Sequence, residues 1–319
     1  MKAIVHTKYG PPEVLRLEEV AKPTPRDDEV LIRVRAASVN RSDWENLMGK
    51  PLYARVGGLR KPRRQILGSD IAGRVEAVGK NTRRFQPGDE VFGLLWGYKG
   101  GFAEYVCARE SALAPKPASM TFEEAAAIPQ AASTAVQGIR DKGRVQPGQK
   151  VLISGAGAAG TFAVQLAKLY GAEVTGVDNT GKLDIMRSLG ADHVVNYTRE
   201  DFTKNGNQYD LILDVVAHRP VFAYKRALRP NGRYFVAGDS VATLLQALLL
   251  GPWITGTTGK EIRVLAVQPD PKDIVYVTEL HEGGNVVPVI DRCYPLSEVP
   301  EALRYLGEGR TKGKVVITM

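Results

Sequence analysis

A strand–turn–helix–strand unit between residues 150 and 178 constrains the fold of this chain more than any other feature. The segment reads KVLISGAGAAGTFAVQLAKLYGAEVTGVD. Val151, Leu152 and Ile153 form the short apolar run that is typical of a buried parallel strand. Glycines at the G-x-G-x-x-G spacing follow, and the apolar face beyond them predicts a helix. A second strand is predicted over 173–177, and Asp178 closes it.

Each glycine of this unit has its own physical use. Gly155 allows the tight turn, Gly157 lets backbone approach a pyrophosphate, and Gly160 lets the helix pack closely on the strand. Free N–H groups and the dipole at the helix start attract phosphate. Because the flanking strands and an acid at roughly the expected 20-residue distance are all present, the unit predicts a dinucleotide site. A glycine-rich turn that binds nothing is the alternative.

Composition places the chain among soluble globular proteins. Hydrophobic residues make up 44% of the chain and charged residues 24%. Its length of 319 residues favours two domains. Only Cys107 and Cys293 are present, which excludes a disulfide framework and a four-cysteine zinc site. The first residues read as a strand and not as a signal peptide, so a cytoplasmic location is expected.

One apolar stretch, VATLLQALLLGPWI over 241–254, needs separate consideration. It is too short to span a bilayer and contains Gly251 and Pro252, so no membrane span is predicted. The simplest interpretation is a buried helix. A substrate-channel wall or a subunit contact is the alternative.

Two textures divide the chain. Up to about residue 125 it is β-rich, with strands predicted over 30–36 and 73–78. Beyond an alanine-rich helical segment, strands over 193–197, 211–215, 233–237 and 263–267 alternate with helices over 181–189 and 221–228. Such alternation predicts a doubly wound parallel sheet, which makes the fold class α/β. The last predicted strand, 314–318, is expected to return to the first domain.

Further motifs run along the chain in a fixed order. They are AASVNRSDW (36–44), LGSDIAGRVEAVG (67–79), FQPGDEVFG (85–93), GGFAEYV (100–106), AAIPQAASTA (126–135), SLGADHVVNY (188–197) and GKVVI (313–317). With them the chain resembles the zinc-independent quinone oxidoreductase branch of the medium-chain dehydrogenase/reductase superfamily. The resemblance implies a GroES-like β-rich catalytic domain (1–125 and 286–319) split around a Rossmann dinucleotide-binding domain (126–285). It also implies an active site in the cleft.

No metal site is predicted. Zinc-dependent relatives carry a cysteine at the position of Asn40 and a His-Glu pair at the positions of Ser69 and Asp70. Zinc prefers thiolate and imidazole, which Asn40 and Ser69 lack. Without a Lewis acid to assist alcohol oxidation, the expected reaction is reduction of an acceptor that is already polarised.

The resemblance implies hydride transfer from a reduced nicotinamide to a quinone or an α,β-unsaturated carbonyl. Asn40, Asp43 and Tyr53 are the catalytic candidates, because the resemblance puts them near the cleft. Asn40 and Tyr53 can donate hydrogen bonds to the developing oxyanion, and Tyr53 or water could deliver the proton. Helix capping is the alternative for Asn40 and Asp43, and a surface position is the alternative for Tyr53.

The cofactor candidates lie in and after the glycine unit, with one in the preceding helix and one in the last strand. They are Thr134, Gly155, Gly157, Ala158, Ala159, Gly160, Asp178, Asn179, Thr180, Lys182, Tyr197, Val215, Gly238 and Lys314. An acid at position 178 favours NAD(H), because it accepts from a ribose hydroxyl and repels a 2′-phosphate. The polar and basic residues after it favour NADP(H), as the branch does. NADP(H) is therefore preferred over NAD(H), with dual use left open.

Three partner questions follow from charge and resemblance. The net charge is +8, and the basic cluster LRKPRR over 59–64 motivates an alternative function as a dinucleotide-binding sensor or nucleic-acid-associated protein. No aromatic stacking motif accompanies the cluster, so nucleic-acid binding is not expected. Zinc-free alcohol dehydrogenation is the other alternative. The expected partners are a hydrophobic small-molecule acceptor and a second copy of the chain, paired as in relatives through residues 263–267.

Overall fold

The computed structural model of the 319-residue chain describes residues 1–55, 58–95, 97, 100–238 and 240–319. The strands in this part of the chain, numbered in order, are β1 (Lys2–Val5), β2 (Arg16–Glu19), β3 (Glu29–Val39), β4 (Asp70–Val78), β5 (Glu90–Leu94), β6 (Tyr105–Arg109), β7 (Leu113–Pro115), β8 (Lys150–Ser154), β9 (Glu173–Asp178), β10 (His193–Asn196), β11 (Tyr209–Asp214), β12 (Leu228–Val236), β13 (Glu261–Val264), β14 (Ile290–Pro295) and β15 (Lys314–Thr318).

The α-helices of the same described residues are α1 (Arg41–Met48), α2 (Phe122–Ala127), α3 (Pro129–Val136), α4 (Ala158–Leu169), α5 (Leu183–Ser188), α6 (Val221–Ala227), α7 (Val241–Thr258), α8 (Pro271–Glu282) and α9 (Val299–Gly307). Pro129 is the first residue of α3, a position that does not require a backbone N–H, and it separates α3 from α2. Thr121 caps α2, since its hydroxyl accepts from Glu124 N at 3.1 Å.

The chain divides into two compact units. The first comprises Met1–Gln130, Pro269–Glu282 and Pro288–Met319, and the second comprises Ala131–Gln268 and Gly283–Val287. This division differs from the predicted one mainly at α8, which falls in the first unit and packs against β7.

The second unit is built on a six-stranded parallel sheet in the order β10-β9-β8-β11-β12-β13. Counted from β8, this is the 3-2-1-4-5-6 order of the doubly wound dinucleotide-binding fold. The order reverses between β8 and β11, so a ligand site is expected at the carboxyl ends of these two strands. The last strand ends earlier than predicted, at Val264.

The first unit is built on a seven-stranded sheet. Its main path is β14-β15-β3-β4-β5-β7, and β6 pairs with β3. The long β3 is buried along most of its length, and Val30, Ile32 and Val34 contribute to a core completed by α9 and β15. The predicted return of the chain's last strand to this unit is observed, because β15 pairs antiparallel with β3.

Helix α7 corrects one prediction. It buries Thr243, Ala247, Gly251 and Ile254, but it exposes a stripe of large apolar side chains on its other face: Val241, Leu245, Leu248, Leu249 and Trp253. The interpretation as a buried helix is therefore wrong for this face. The helix is also longer than predicted, at 18 residues, and by length and composition alone it is long and apolar enough to cross a membrane.

Candidate functional site

The glycine turn of the second unit is tightly packed at Gly155 and Gly160 and leaves free space at Gly157. Gly155 has φ +104°, and a Cβ there would lie 2.4 Å from the Cγ2 of Val216. A Cβ on Gly160 would lie 1.7 Å from the carbonyl oxygen of Gly155. Around Gly157, by contrast, an added Cβ has no heavy atom of the described residues within 4 Å other than those of Gly157 and its two chain neighbours. The open position is where a ligand can approach the backbone.

Helix α4 starts directly after this opening. Its first residues, Ala158 and Ala159, are partly exposed, whereas Gly160 is buried. The first N–H groups of a helix have no partner inside the helix, and the dipole makes this end positive. The turn and the helix start therefore offer the backbone donors and the positive dipole that could hold an anion such as a pyrophosphate.

Asp178 reaches back to the turn. It is 5% exposed, its Oδ2 accepts from Ala156 N at 2.7 Å, and its Oδ1 accepts from Asn179 N at 2.7 Å. Each carboxylate oxygen retains a second lone pair that a ribose hydroxyl could use. The carboxylate thus fixes the turn whatever its role toward a cofactor.

The polar residues after β9 are organised among themselves. Asn179 Oδ1 accepts from Gly181 N at 3.0 Å, and Asn196 Nδ2 donates to Thr180 Oγ1 at 2.6 Å. Lys182, at the end of the same short turn, is partly exposed. The structure therefore brings Asn179, Thr180 and Lys182 together at the carboxyl end of β9.

Tyr197 lies just after β10. Its N–H donates to Asp178 O at 3.2 Å, and its ring packs against that of His218 with the centroids 4.7 Å apart. His218 lies in a loop without a motif, so no sequence pattern predicts its place beside Tyr197. Thr134 lies on α3 and is partly exposed.

Val215 lies against both Gly155 and Gly238 at the carboxyl edge of the sheet. A Cβ on Gly238 would lie 2.4 Å from the carbonyl carbon of Val215, and a Cβ on Gly155 would lie 2.7 Å from the Cγ2 of Val215. Three strand ends, those of β8, β11 and β12, thus converge where the strand order reverses. Only glycine allows so close an approach of the backbones.

A buried carboxylate holds the loop that carries Val215. Asp214 is fully buried, accepts from Ala217 N at 2.8 Å and accepts from the Tyr234 hydroxyl at 3.0 Å. Burial and the negative charge of Asp214 raise the pKa of Tyr234 well above its usual value, so this phenol stays protonated as the donor. This carboxylate orders one wall of the turn region.

In the first unit, strand register brings three candidate positions side by side. Val315 pairs with Val39, and Ser38 pairs with Asp70. Continuing these registers by one residue places Lys314 and Asn40 at the same end of the sheet. Residues that are far apart in sequence thereby form one cluster.

A buried polar network joins this cluster. Lys314 Nζ donates to Asn40 Oδ1 at 2.5 Å and to Asp70 Oδ2 at 2.8 Å. Asn40 Nδ2 donates to Ser69 Oγ at 3.2 Å, and Ser69 Oγ donates to Gln130 Oε1 at 3.3 Å. The Lys314 and Asp70 side chains are 1% and 0% exposed, so this is an ion pair removed from water.

Asp43 supports the same cluster through the backbone. It is fully buried, its Oδ2 accepts from Asn40 N at 2.9 Å and its Oδ1 accepts from Gly68 N at 3.1 Å. It is the third helical residue of α1, with Asn40 as the N-cap. Its hydrogen bonds are those of the capping role that the sequence analysis offered as the alternative.

Tyr53 lies on a short 3₁₀ helix, Leu52–Arg55. It is 51% exposed, and its hydroxyl donates to Glu45 Oε2 at 3.2 Å. The basic residues of the 59–64 cluster are also exposed, as in a solvated loop.

The side chains at the candidate metal position do not fit zinc. The described residues contain no group of three or more His, Cys, Asp or Glu side chains that could hold a metal. At the positions where zinc-dependent relatives carry ligands stand the amide of Asn40 and the hydroxyl of Ser69, and the ammonium of Lys314 lies against that amide. A divalent cation placed there would face an ammonium.

Sequence reasoning missed several members of this network. Ser69 and Asp70 drew attention only because they stand where zinc-dependent relatives carry a His-Glu pair. Ser38 and Gln130 were not among the candidates. Asp70 accepts from Ser38 Oγ at 3.1 Å and from Gln130 N at 3.2 Å. Their positions in the family-like motifs were the only available signal, because none of them has a local pattern of its own.

Three family models match the chain. They are described as alcohol dehydrogenase GroES-like domain (residues 26–118), alanine dehydrogenase/PNT, C-terminal domain (residues 121–217) and zinc-binding dehydrogenase (residues 189–317). Together they extend over both units of the structure.

Curated relatives and a solved structure match over nearly the whole chain. The 2-methylene-furan-3-one reductase of Solanum lycopersicum is 35% identical over 99% of this chain and 79% of its own. The chloroplastic NADPH-dependent alkenal/one oxidoreductase of Arabidopsis thaliana is 32% identical over the same shares. The quinone oxidoreductase structure from Coxiella burnetii has a TM-score of 0.89 at 28% identity, and covers 100% of this chain and 99% of that one.

These matches confirm the predicted fold, a Rossmann-type parallel sheet combined with a GroES-like domain. They also extend over the ranges that carry the glycine turn and the polar network. The chain belongs to the medium-chain dehydrogenase/reductase superfamily, among its quinone oxidoreductases and enone reductases.

Proposed function

We propose that this protein is an NAD(P)H-dependent reductase that transfers hydride to a quinone or an α,β-unsaturated carbonyl without zinc. The observation that carries the proposal is the Lys314–Asp70–Asn40 network: the family resemblance assigns the positions of Asn40 and Asp70 to metal ligands in zinc-dependent relatives, and here the Lys314 ammonium is bound to both side chains, which does not fit zinc. The names of the relatives, an enone reductase and an alkenal/one oxidoreductase, support the same chemistry.

The second unit fits a nicotinamide dinucleotide, which supplies the hydride when bound. The opening at Gly157 and the start of α4 would hold the pyrophosphate. On the adenosine side stand Asp178, Asn179, Thr180, Lys182 and Tyr197, and toward the nicotinamide we assign Thr134, Val215 and Gly238. The carboxylate of Asp214 keeps the Val215 loop in place during binding.

In the first unit, Asn40 is the proposed donor to the oxyanion that forms on the acceptor. Its amide carries two N–H groups, and one of them is donated to Ser69. Among the described residues the other has no acceptor, which leaves it available for substrate. Asp43 fixes the backbone of Asn40, and Tyr53 or water delivers the proton.

The proposal is tested by following the loss of nicotinamide absorbance with purified, chelator-treated protein. The acceptors are a benzoquinone, a naphthoquinone, an enone and a simple aldehyde. Turnover with a quinone or an enone despite the chelator is the expected result. No turnover with any acceptor, alongside tight cofactor binding, would instead favour a sensor or a binding protein, and turnover that disappears with chelation would contradict the absence of zinc.

We propose NADPH as the preferred cofactor, with Lys182 contacting its 2′-phosphate. Replacing Lys182 with alanine is expected to lower kcat/KM for NADPH about fivefold to tenfold, because one charge-assisted contact of about 1 to 1.4 kcal/mol is lost. Steady-state kinetics with NADPH and NADH measure the effect, and kcat/KM for NADH should not change. Lys142→Ala, on another exposed lysine of the same unit, is the control. Equal losses with both cofactors would remove this role.

We propose a homodimer in which a second copy covers the apolar stripe of α7. Helix α7 packs beside β13, which forms one edge of the parallel sheet, so a partner on the exposed stripe would lie close to that open edge. Leu249, at its centre, is 75% exposed. Large exposed apolar patches mark interaction sites in soluble proteins.

A cytoplasmic location remains part of the proposal, supported by the two free cysteines.

Leu249→Glu is expected to convert the dimer to a monomer, because a carboxylate would have to be buried in an apolar contact. Light scattering coupled to size-exclusion chromatography measures the mass. Leu59→Glu is the matched control, since Leu59 is 73% exposed in the other unit and should leave the mass unchanged. A wild-type protein that is monomeric at high concentration would exclude the dimer.

A further inference from the structure

A deeply buried ion pair joins Lys314 and Asp70. Their side chains are 1% and 0% exposed, and Nζ lies 2.8 Å from Oδ2. Removing two charges from water is costly, and a buried pair often stabilises a fold no better than apolar residues of the same volume. Such a pair is therefore expected to have a role besides stabilising the fold.

The surroundings show that the pair is built into the strand ends. Gly313 precedes Lys314 with φ +126°, and a Cβ there would lie 2.5 Å from the carbonyl oxygen of Val289. Lys314 N donates to the same oxygen at 2.7 Å. On the other side, Asp70 is held by Ser38 and by the backbone of Gln130. The ammonium therefore has little freedom to turn elsewhere.

The chemistry of the ammonium fixes the orientation of Asn40. A lysine ammonium is a donor only, so the amide atom that faces it at 2.5 Å must be the oxygen. The amide nitrogen of Asn40 then points to the other side, where one N–H meets Ser69 Oγ at 3.2 Å. Ser69 Oγ gives its own proton to Gln130 Oε1 and therefore accepts from the same amide nitrogen, and Lys314 is the charged group of the network that enforces this orientation.

We propose that Lys314 is a positioning residue for the reduction: held by Asp70, its ammonium sets the Asn40 amide with its N–H groups toward the reacting oxygen. The inference rests on the proposed reductase function. It gives Lys314 a role through Asn40, in place of the direct cofactor contact that the family resemblance implied. The two roles predict different kinetic effects.

The test uses the double variant Lys314→Met/Asp70→Asn in the full-length protein. The single change Lys314→Met would leave a buried carboxylate uncompensated, and such a variant can fail to fold. The double variant removes both charges, keeps similar volumes and retains an acceptor for Gln130 N. Thermal unfolding establishes that it is folded. Lys312→Met, at an exposed lysine in the same loop, is the control and should leave all parameters unchanged.

For the double variant, kcat should fall about 10-fold to 100-fold, and the Kd for NADPH should stay within about twofold. This loss of kcat lies just below the loss expected when an oxyanion donor is removed outright. A Kd that rises tenfold with an unchanged kcat would overturn the proposal and support direct cofactor contact. An unchanged kcat with an unchanged Kd would overturn it as well.

A mutant cycle with Asn40→Ala separates positioning from general structural damage. If Lys314 acts through Asn40, adding Lys314→Met/Asp70→Asn to Asn40→Ala should lower kcat no further. Fully multiplicative losses would overturn the proposal. If the wild-type protein reduces none of the acceptors, the proposed function fails and the inference fails with it, whereas an active wild type with multiplicative losses rejects the inference alone.

Discussion

Replacing Gly157 with alanine is expected to weaken NADPH binding at least about tenfold while leaving the free energy of unfolding within about 0.5 kcal/mol of wild type. The backbone at Gly157 has φ −76°, which any residue adopts, and the described residues leave 4 Å around an added Cβ free. The protein itself can therefore accept the methyl group. The lost affinity arises because the methyl group fills the space through which a pyrophosphate reaches the N–H groups of α4.

Gly160→Ala should show the opposite balance. Its Cβ would lie 1.7 Å from the carbonyl oxygen of Gly155, a backbone atom that cannot move without opening the turn. We expect a loss of more than about 3 kcal/mol in the free energy of unfolding, measured with urea in the absence of cofactor.

Gly256→Ala is the control for both glycine variants, because its surroundings are equally open among the described residues and it lies in α7, away from the turn. It should leave the Kd unchanged and should not lower the free energy of unfolding, because alanine favours a helix over glycine by up to about 1 kcal/mol. Wild-type NADPH affinity in Gly157→Ala would mean that the pyrophosphate does not lie on this turn. Wild-type stability in Gly160→Ala would contradict the close packing of α4 on the turn.

The glycine unit could be predicted in detail because all of its information is local. The apolar run before Gly155, the glycine spacing and the helix face after it lie within one continuous segment. The structure confirms the strands β8 and β9 and the helix α4 within a residue or two of the predicted limits. Strand alternation then gave the parallel sheet, since a right-handed crossover leaves few other arrangements.

The polar network could not be predicted in the same way. Lys314 is 274 residues from Asn40 and 244 from Asp70 along the chain, and only the pairing of β15, β3 and β4 brings them together. A lysine before a strand is more often solvent-facing, so its burial had no sequence signal. The family resemblance made Asn40 and Asp43 candidates, but it did not predict which groups they hydrogen-bond.

Helix α7 shows a different limit of sequence reasoning. Its residues are apolar on nearly every face, so periodicity predicts no preferred side to bury. Composition alone favours burial, yet Leu248 is 60% and Trp253 59% exposed. The covered face is set by packing on the sheet, which local sequence does not encode.

Asp43→Ala is expected to lower the free energy of unfolding by about 3 to 5 kcal/mol. Asp43 is fully buried, and its two oxygens accept from Asn40 N at 2.9 Å and Gly68 N at 3.1 Å. Removing the carboxylate leaves both N–H groups without these acceptors in a dry environment, and it also removes an acid from the first turn of α1. Asp43→Asn keeps one acceptor oxygen, so about 1 to 3 kcal/mol should be lost. Urea unfolding measures both variants.

The matched control is Asp184→Ala, which also removes an acid from the first turn of a helix. Asp184 is 93% exposed, so the change should cost less than about 0.5 kcal/mol.

Activity separates the structural role of Asp43 from a catalytic one. Asp43→Asn, assayed where it is folded, should lower kcat because the Asn40 backbone shifts, but the shape of the pH–rate profile should not change. If one limb of that profile disappeared, Asp43 would be a proton-transferring group, because a carboxylate with a purely structural role contributes no ionisation to turnover.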